Sequence, residues 1–377
     1  MTLTFCRAAR QNVRPNGHHA AMRVALVTYS TRPRGGVVHT LALAEAMAAL
    51  GTDVTVWGIE AEPGEAFFRE VDPRVEVRLA PRRATAPDDV DARVLASIEA
   101  LAAAIDPADY DLVHAQDCIS ANAVPGCVRT VHHLDQFTSP ALAECHERAI
   151  VEPFAHVCVS AGVAEELRAG WGINATVIPN GVAAERFAAA VDDETGRAAW
   201  RARVPDADPF VLTVGGIEPR KGTLELVEAV ARLRDGGHPG ARLVIAGGET
   251  LFDYRPYRAQ VQARCEELGI EPVVLGAIGD DGLPSLVAAC DVFALMSTKE
   301  GFGMAAMEAL AARRPVVLSD LPVFREVFGE AVAYEDLAAG LSAAPDPELG
   351  AQLAARHTWE SAARAHLELY ERLGARG

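Results

Sequence analysis

Lysine is nearly missing from this chain: of its 35 basic residues only Lys221 and Lys299 are not arginine. Alanine is abundant, and the skew matches a GC-rich coding bias. Both lysines nonetheless fall inside the motifs described below. A lysine ammonium is a compact point charge suited to a buried oxyanion, whereas arginine presents a planar fork. Positive charge is scarce overall. The net charge of −17 argues against nucleic acid, or an anionic membrane, as the main surface partner. No apolar run reaches the length of a membrane span. Residues 1–21 hold Arg7, Arg10 and Arg14 but no apolar stretch long enough for a signal-peptide core, and read as a disordered extension before Met22. The seven cysteines (6, 118, 127, 145, 158, 265 and 290) are odd in number and form no C-x-x-C pair. That argues against a disulfide framework or a zinc site and points to a reducing cytoplasm. They read as small buried hydrophobes. No fixed-period repeat is present, which disfavours a solenoid.

What is present is apolar mass and a regular rhythm. At 377 residues, half of them hydrophobic, the chain is long enough for two domains with full cores. Strand-like runs alternate with helical ones from Met22 onward, which predicts an α/β fold with parallel sheets. In the first helix Leu43, Ala46, Met47 and Leu50 share a face, and Gly51 stops it. Residues 183–208 break the rhythm with scattered charge and are predicted to link the domains. The expected division is a first Rossmann-like domain over 22–182, the linker, and a second over 209–357. A helix over 358–377 closes the chain. Two Rossmann-like halves with a cleft between them are the simplest assembly.

The most informative segment runs from Ser297 to Glu308, after a strand-like run and at the start of a helical one. Glu300 and Glu308 are separated by seven residues, with Gly301-Phe302-Gly303 between them. A helix start offers unpaired N–H groups and positive potential, which suit a phosphate or a polarised oxygen. Glycines there let a ligand approach the backbone. Two glutamates can then grip hydroxyl pairs on either side of the anion, as a nucleotide sugar requires. The plain alternative makes Glu300 a helix cap and Glu308 a solvated face residue.

The pattern E-G-F-G-x4-E-A-x-A is similar to that of the retaining glycosyltransferases of family 4 (glycosyl transferases group 1). The resemblance extends from about Met22 to Leu373. It implies the GT-B fold: two Rossmann-like domains facing across a cleft, with a C-terminal helix crossing back to the first. Val214-Gly215-Gly216-Ile217-Glu218-Pro219-Arg220-Lys221-Gly222 resembles the family's V-G-R-x3-E-K-G. Lys221 then matches the lysine at the donor diphosphate. Gly216 stands where the family has arginine, and Arg220 is the candidate to supply the missing cation. Gly35-Gly36 resembles the family's glycine pair before the first helix, expected to let the donor phosphate or the acceptor approach the backbone.

His132, in Thr130-Val131-His132-His133-Leu134-Asp135, matches the histidine beside the reacting carbon. A metal site at His132, His133 and Asp135 and a purely structural histidine are the alternatives there. His114 reads as structural. Ile178-Pro179-Asn180-Gly181-Val182 matches the family's V-I-P-N-G-V and reads as a turn without chemistry.

The resemblance implies a metal-independent, retaining hexosyltransferase that moves a sugar from a nucleotide-diphosphate donor to an acceptor hydroxyl. It places Glu300 on the donor sugar and Glu308 on the ribose. Lys221 and the amides near Gly303, Met304 and Ala305 would lie on the diphosphate. No D-x-D falls within these motifs, so neither metal nor cofactor is expected. The rival readings are another GT-B enzyme, such as a nucleotide-sugar epimerase or a phosphorylase, and a non-catalytic sugar-nucleotide-binding protein. A phosphorylase would need a pyridoxal lysine. A cytoplasmic location is expected, with peripheral contact with a membrane left open.

Overall fold

Runs of four or five consecutive apolar residues, too short for helices, give the strands of two wholly parallel sheets that helices cover on both faces. The computed structural model describes residues 22–84, 89–135, 139–248 and 254–374. The extension read at residues 1–21 lies outside them. The first sheet comprises β1 (Arg23–Val27), β2 (Asp53–Glu60), β3 (Glu76–Pro81), β4 (Leu112–Ala115), β5 (Val128–Val131), β6 (Ala155–Cys158) and β7 (Thr176–Val177). Its order is β3-β2-β1-β4-β5-β6-β7. The second comprises β8 (Phe210–Val214), β9 (Arg242–Ala246), β10 (Val273–Gly276), β11 (Val292–Leu295), β12 (Val316–Leu318) and β13 (Ala333–Tyr334), ordered β10-β9-β8-β11-β12-β13. In each sheet the winding reverses beside the first strand, between β1 and β4 and between β8 and β11. Parallel α/β sheets open their ligand crevice at that reversal, outside the carboxyl ends of the strands. Here the two crevices face each other.

The closing helix, Trp359–Gly374, buries Ala362, Ala363, His366, Leu369 and Tyr370. Ala363 and Tyr370 pack with Val24, Leu26 and Leu41, while Ala362 and Leu369 pack with Val128, Val157 and Ile178. The helix therefore crosses back onto the first sheet. His114 lies beneath it, with Nδ1 2.5 Å from the Tyr370 hydroxyl and Nε2 2.8 Å from Thr130 Oγ1.

Two parts of the sequence reading change. β3 and β13 were not expected: only Ala80 of the six residues of β3 is buried, β13 is two residues long, and a strand at a sheet edge carries little apolar signal. The segment 183–208 is not a bare linker. It forms helices Ala184–Ala189 and Glu194–Ala202, which dock on the second domain. Phe187 is buried there, Trp200 donates its indole N–H to Ser285 at 3.1 Å, and Arg201 is ion-paired with Asp291. The surface charge of these helices masks how few apolar anchors they need.

The domains also touch across the cleft. Glu326 of helix Pro322–Phe328 accepts bonds from the amides of Ala161 (2.7 Å) and Gly162 (2.8 Å), in the first turn of helix Ala161–Trp171. Lys299 pairs with Glu166 of that helix at 3.2 Å. A carboxylate on a helix N-terminus gains both the dipole and charge-assisted bonds. Glu326→Ala is therefore expected to loosen the contact between the domains, seen as a larger radius of gyration in scattering. An unchanged radius would assign the contact no part in holding the domains together.

Candidate active site

Glycine packing sets the two loops of the second domain side by side. Gly222 adopts φ +62°, and a Cβ there would run into the Met296 carbonyl at the end of β11. With no side chain in the way, the loop after β8 lies on the loop after β11, and Thr298 N donates to Arg220 O at 2.9 Å. This contact delivers the cations to the carboxylate. Lys221 Nζ lies 2.7 Å from Glu300 Oε2, and Arg220 bridges Glu300 at 3.3 Å and Glu218 at 2.9 Å. Burial alone would push the Glu300 carboxyl up. Lys221 and then Arg220 outweigh it and hold the group down at about 2. Arg220 thus supplies a second cation beside Lys221, while Gly216 lines the cleft without a side chain.

Glu300 is followed by Gly301, where any Cβ would overlap the carbonyl oxygen of His132. The loop is consequently seated on the end of β5, in the other domain. Gly303, at φ +93°, then turns the chain into helix Met304–Ala311. No side chain caps that helix, so the amides of Met304 and Ala305 open into the cleft. One turn on, half-buried Glu308 lies near Arg186 and Asp280, which are themselves paired at 2.8 Å. Burial raises the Glu308 carboxyl most; Asp280 adds to this, Arg186 opposes it, and the group stands at about 8.

From the first domain come Gly35 and Gly36 at the start of helix Gly35–Ala49, and His132 after β5. Gly35 faces the Met304 methyl, and a Cβ on Gly36 would stand 3.7 Å from His132 Nε2. Burial first, then His133 and Arg129, lower the His132 imidazole to about 3, so the ring is neutral in the working pH range. His133 turns away to pair with Asp135 at 3.2 Å. Among the described residues no three His, Cys, Asp or Glu side chains are grouped as a metal set. The candidate catalytic and donor-binding residues therefore line one cleft, whereas Lys299 and His114 are not part of its lining.

Sequence reasoning missed Gln116. It follows β4 at the switch point, is 1% exposed, and lines the cleft with neither amide atom bonded within the protein. A lone glutamine after a strand carries no sequence signal.

The family comparisons match this geometry in both halves. The family described as Glycosyltransferase Family 4 matches residues 33–186, and that described as Glycosyl transferases group 1 matches residues 196–353. The chain belongs to the glycosyl transferases of group 1 and family 4 and has the GT-B fold. The chain is 28% identical over 348 residues to the D-inositol 3-phosphate glycosyltransferase of Jonesia denitrificans, covering 80% of this chain and 81% of that one. It spans 30% and 52% of the length of two further curated relatives. Sucrose-phosphate synthase from Thermosynechococcus elongatus shares its fold with a TM-score of 0.72 at 21% identity, covering 94% of this chain and 100% of that one. Anabaena HepE, solved with UDP and glucose, has a TM-score of 0.68 at 18% identity, covering 93% and 99%. The curated relatives from Jonesia denitrificans and Mycobacterium tuberculosis are named a glycosyltransferase and a mannosyltransferase. No helix among the described residues is long and apolar enough to cross a membrane.

Proposed function

We propose that the glycosyltransferase retains the anomeric configuration of its donor, uses a nucleoside-diphosphate sugar, and needs no metal. The observation that carries this reading is the facing of two sets of groups across one cleft. Lys221, Arg220, Glu300 and the open amides of Met304 and Ala305 stand on one side, and neutral His132 on the other. The diphosphate would lie against Lys221 and the helix N-terminus, where charge develops as the bond breaks. Glu308 would take the ribose hydroxyls and Glu300 those of the sugar.

Glu300 is locked between two cations and is not poised as a nucleophile of the glycosidase kind. The bond from C1 to the phosphate oxygen would break while the acceptor oxygen bonds C1 on the same face. The acceptor's proton would pass to the departing phosphate. Gln116, with one unused donor and one unused acceptor group, suits a hydroxyl of a polar acceptor. HepE's complex with UDP-glucose makes that nucleotide sugar the first donor to try, and the likeness to a D-inositol 3-phosphate glycosyltransferase makes D-inositol 3-phosphate the first acceptor.

A panel of UDP-, GDP- and ADP-sugars tests the reading, assayed by NMR for released nucleotide and anomeric configuration, with and without EDTA. Turnover is expected to survive the chelator and the product to keep the donor's configuration. Activity lost in EDTA and restored by manganese, or an inverted product, would overturn it.

A further inference from the structure

Asn180, in the turn read from sequence as a plain connection, touches the interior of the site. Its Oδ1 accepts a bond from His39 Nδ1 at 2.9 Å. His39 is 1% exposed and Asn180 4%, so the bond is made away from water. Because an amide oxygen only accepts, the proton of His39 is on Nδ1 and the ring orientation is set by Asn180. That ring meets His132 edge-on, with centroids 4.8 Å apart and planes at 80°. Such T-shaped contacts are directional as well as apolar. The next residues of the turn lie where the chain passes between domains. Val182 N donates to His357 O at 2.8 Å, and a Cβ on Gly181 would come within 2.5 Å of the Trp359 amide nitrogen. Trp359 in turn stands edge-on to His39, with centroids 5.4 Å apart.

We propose that Asn180 and His39 are positioning residues that hold the His132 imidazole at the reacting centre and couple its placement to the domain crossing at 180–182 and 357–359. The inference rests on the role given to His132 above. Three facts support the coupling. The crossing strands contact each other through Gly181 and Val182. They contact His39 through Asn180 and Trp359, and His39 contacts His132. Movement of one crossing strand against the other therefore reaches His132 through two contacts. The groups around His39 are neutral at working pH. Burial and the neighbouring histidines keep its own imidazole well below its ordinary value, so packing and one hydrogen bond carry the coupling rather than charge.

Three variants separate positioning from mere support of the fold. His39→Asn keeps a donor near the place of Nδ1 but removes the ring from His132. His39→Phe keeps a ring and removes the bond to Asn180, and Asn180→Ala removes only the acceptor. Each is expected to lower kcat by about tenfold or more while leaving the donor KM and the nucleotide Kd within threefold, since the side chains proposed for the nucleotide, Lys221, Arg220 and Glu308, are in the other domain. In protein carrying ¹⁵N-labelled histidine, Asn180→Ala is expected to shift the His132 ring signals. Unaltered kcat in all three variants, even with lowered Tm, would reduce the pair to a structural role and overturn the proposal. If wild type turns over no nucleotide sugar, the reading of the reaction fails, and the His132 signal alone decides. Displacement by Asn180→Ala sustains the positioning, and an unmoved signal overturns it.

Discussion

Lys221→Ala is expected to lower turnover about 100-fold, or about 2.7 kcal/mol of transition-state stabilisation, the range for losing one strong donor at a developing anion. Two effects coincide. The diphosphate loses its compact cation, and Glu300 loses the partner at 2.7 Å that does most to keep it ionised against burial. The Glu300 carboxyl then rises from about 2 toward its ordinary range, and the residual activity acquires an acid limb absent from wild type. The stability effect has a definite sign. Because the folded group lies below its unfolded value, its contribution is present above about pH 4.5 and is lost as pH falls toward 2. The Tm gap between wild type and Lys221→Ala should therefore be largest near neutrality and shrink in acid. Lys221→Arg should recover only part of the activity, since a forked guanidinium does not fit the compact site and Arg220 already occupies the adjoining space. Wild-type kcat in Lys221→Ala would remove the lysine from the mechanism.

Glu308→Gln is expected to stabilise the empty enzyme and weaken its hold on nucleotide. The carboxyl stands at about 8, so it is largely protonated at neutral pH before a ligand arrives. A folded acid raised above its unfolded value leaves stability intact below about pH 4.5 and erodes it as pH climbs to 8. Glutamine mimics the protonated form at every pH. The variant's Tm should thus match wild type near pH 5 and exceed it increasingly toward pH 8.5.

Binding runs the other way. A carboxylate accepts both ribose hydroxyls, so nucleotide affinity should increase from pH 6.5 to 8.5, with a proton released on binding below pH 8. In glutamine the charge-assisted bonds are lost, at about 1.5–3 kcal/mol, and the pH dependence flattens. Calorimetry in buffers of different ionisation enthalpy counts the released proton. No proton release and a flat wild-type profile would remove Glu308 from the ribose site.

Much of this site was legible in advance because it depends on local chemistry. A glycine pair before a helix, a Gly-Phe-Gly turn between two glutamates, and a lone lysine after a strand each declare themselves within about a dozen residues. Caps act over the same short range: Ser160 Oγ accepts from Val163 N at 3.2 Å at the start of helix Ala161–Trp171. The helices at Ala184–Ala189 and Glu194–Ala202 were not readable, because their anchors Phe187 and Trp200 are single residues on charged segments. Gln116 and Asn180 were invisible as functional groups, since their importance lies in what surrounds them.

By itself, then, the sequence determined two parallel α/β units, the crossing helix, and the candidate residues for donor chemistry, because apolar period, caps and glycine turns act over short range. Tertiary structure alone decided how those residues meet. The Gly222 contact with Met296 brings Lys221 and Arg220 onto Glu300 across roughly eighty positions of chain. The Gly301 contact with His132 joins one domain's loop to the other's strand end. Burial raises the Glu308 carboxyl to about 8, a shift that its neighbours in sequence do not predict. Close approach, desolvation and charge pairing depend on distance in space, and that is a property of the fold rather than of any segment.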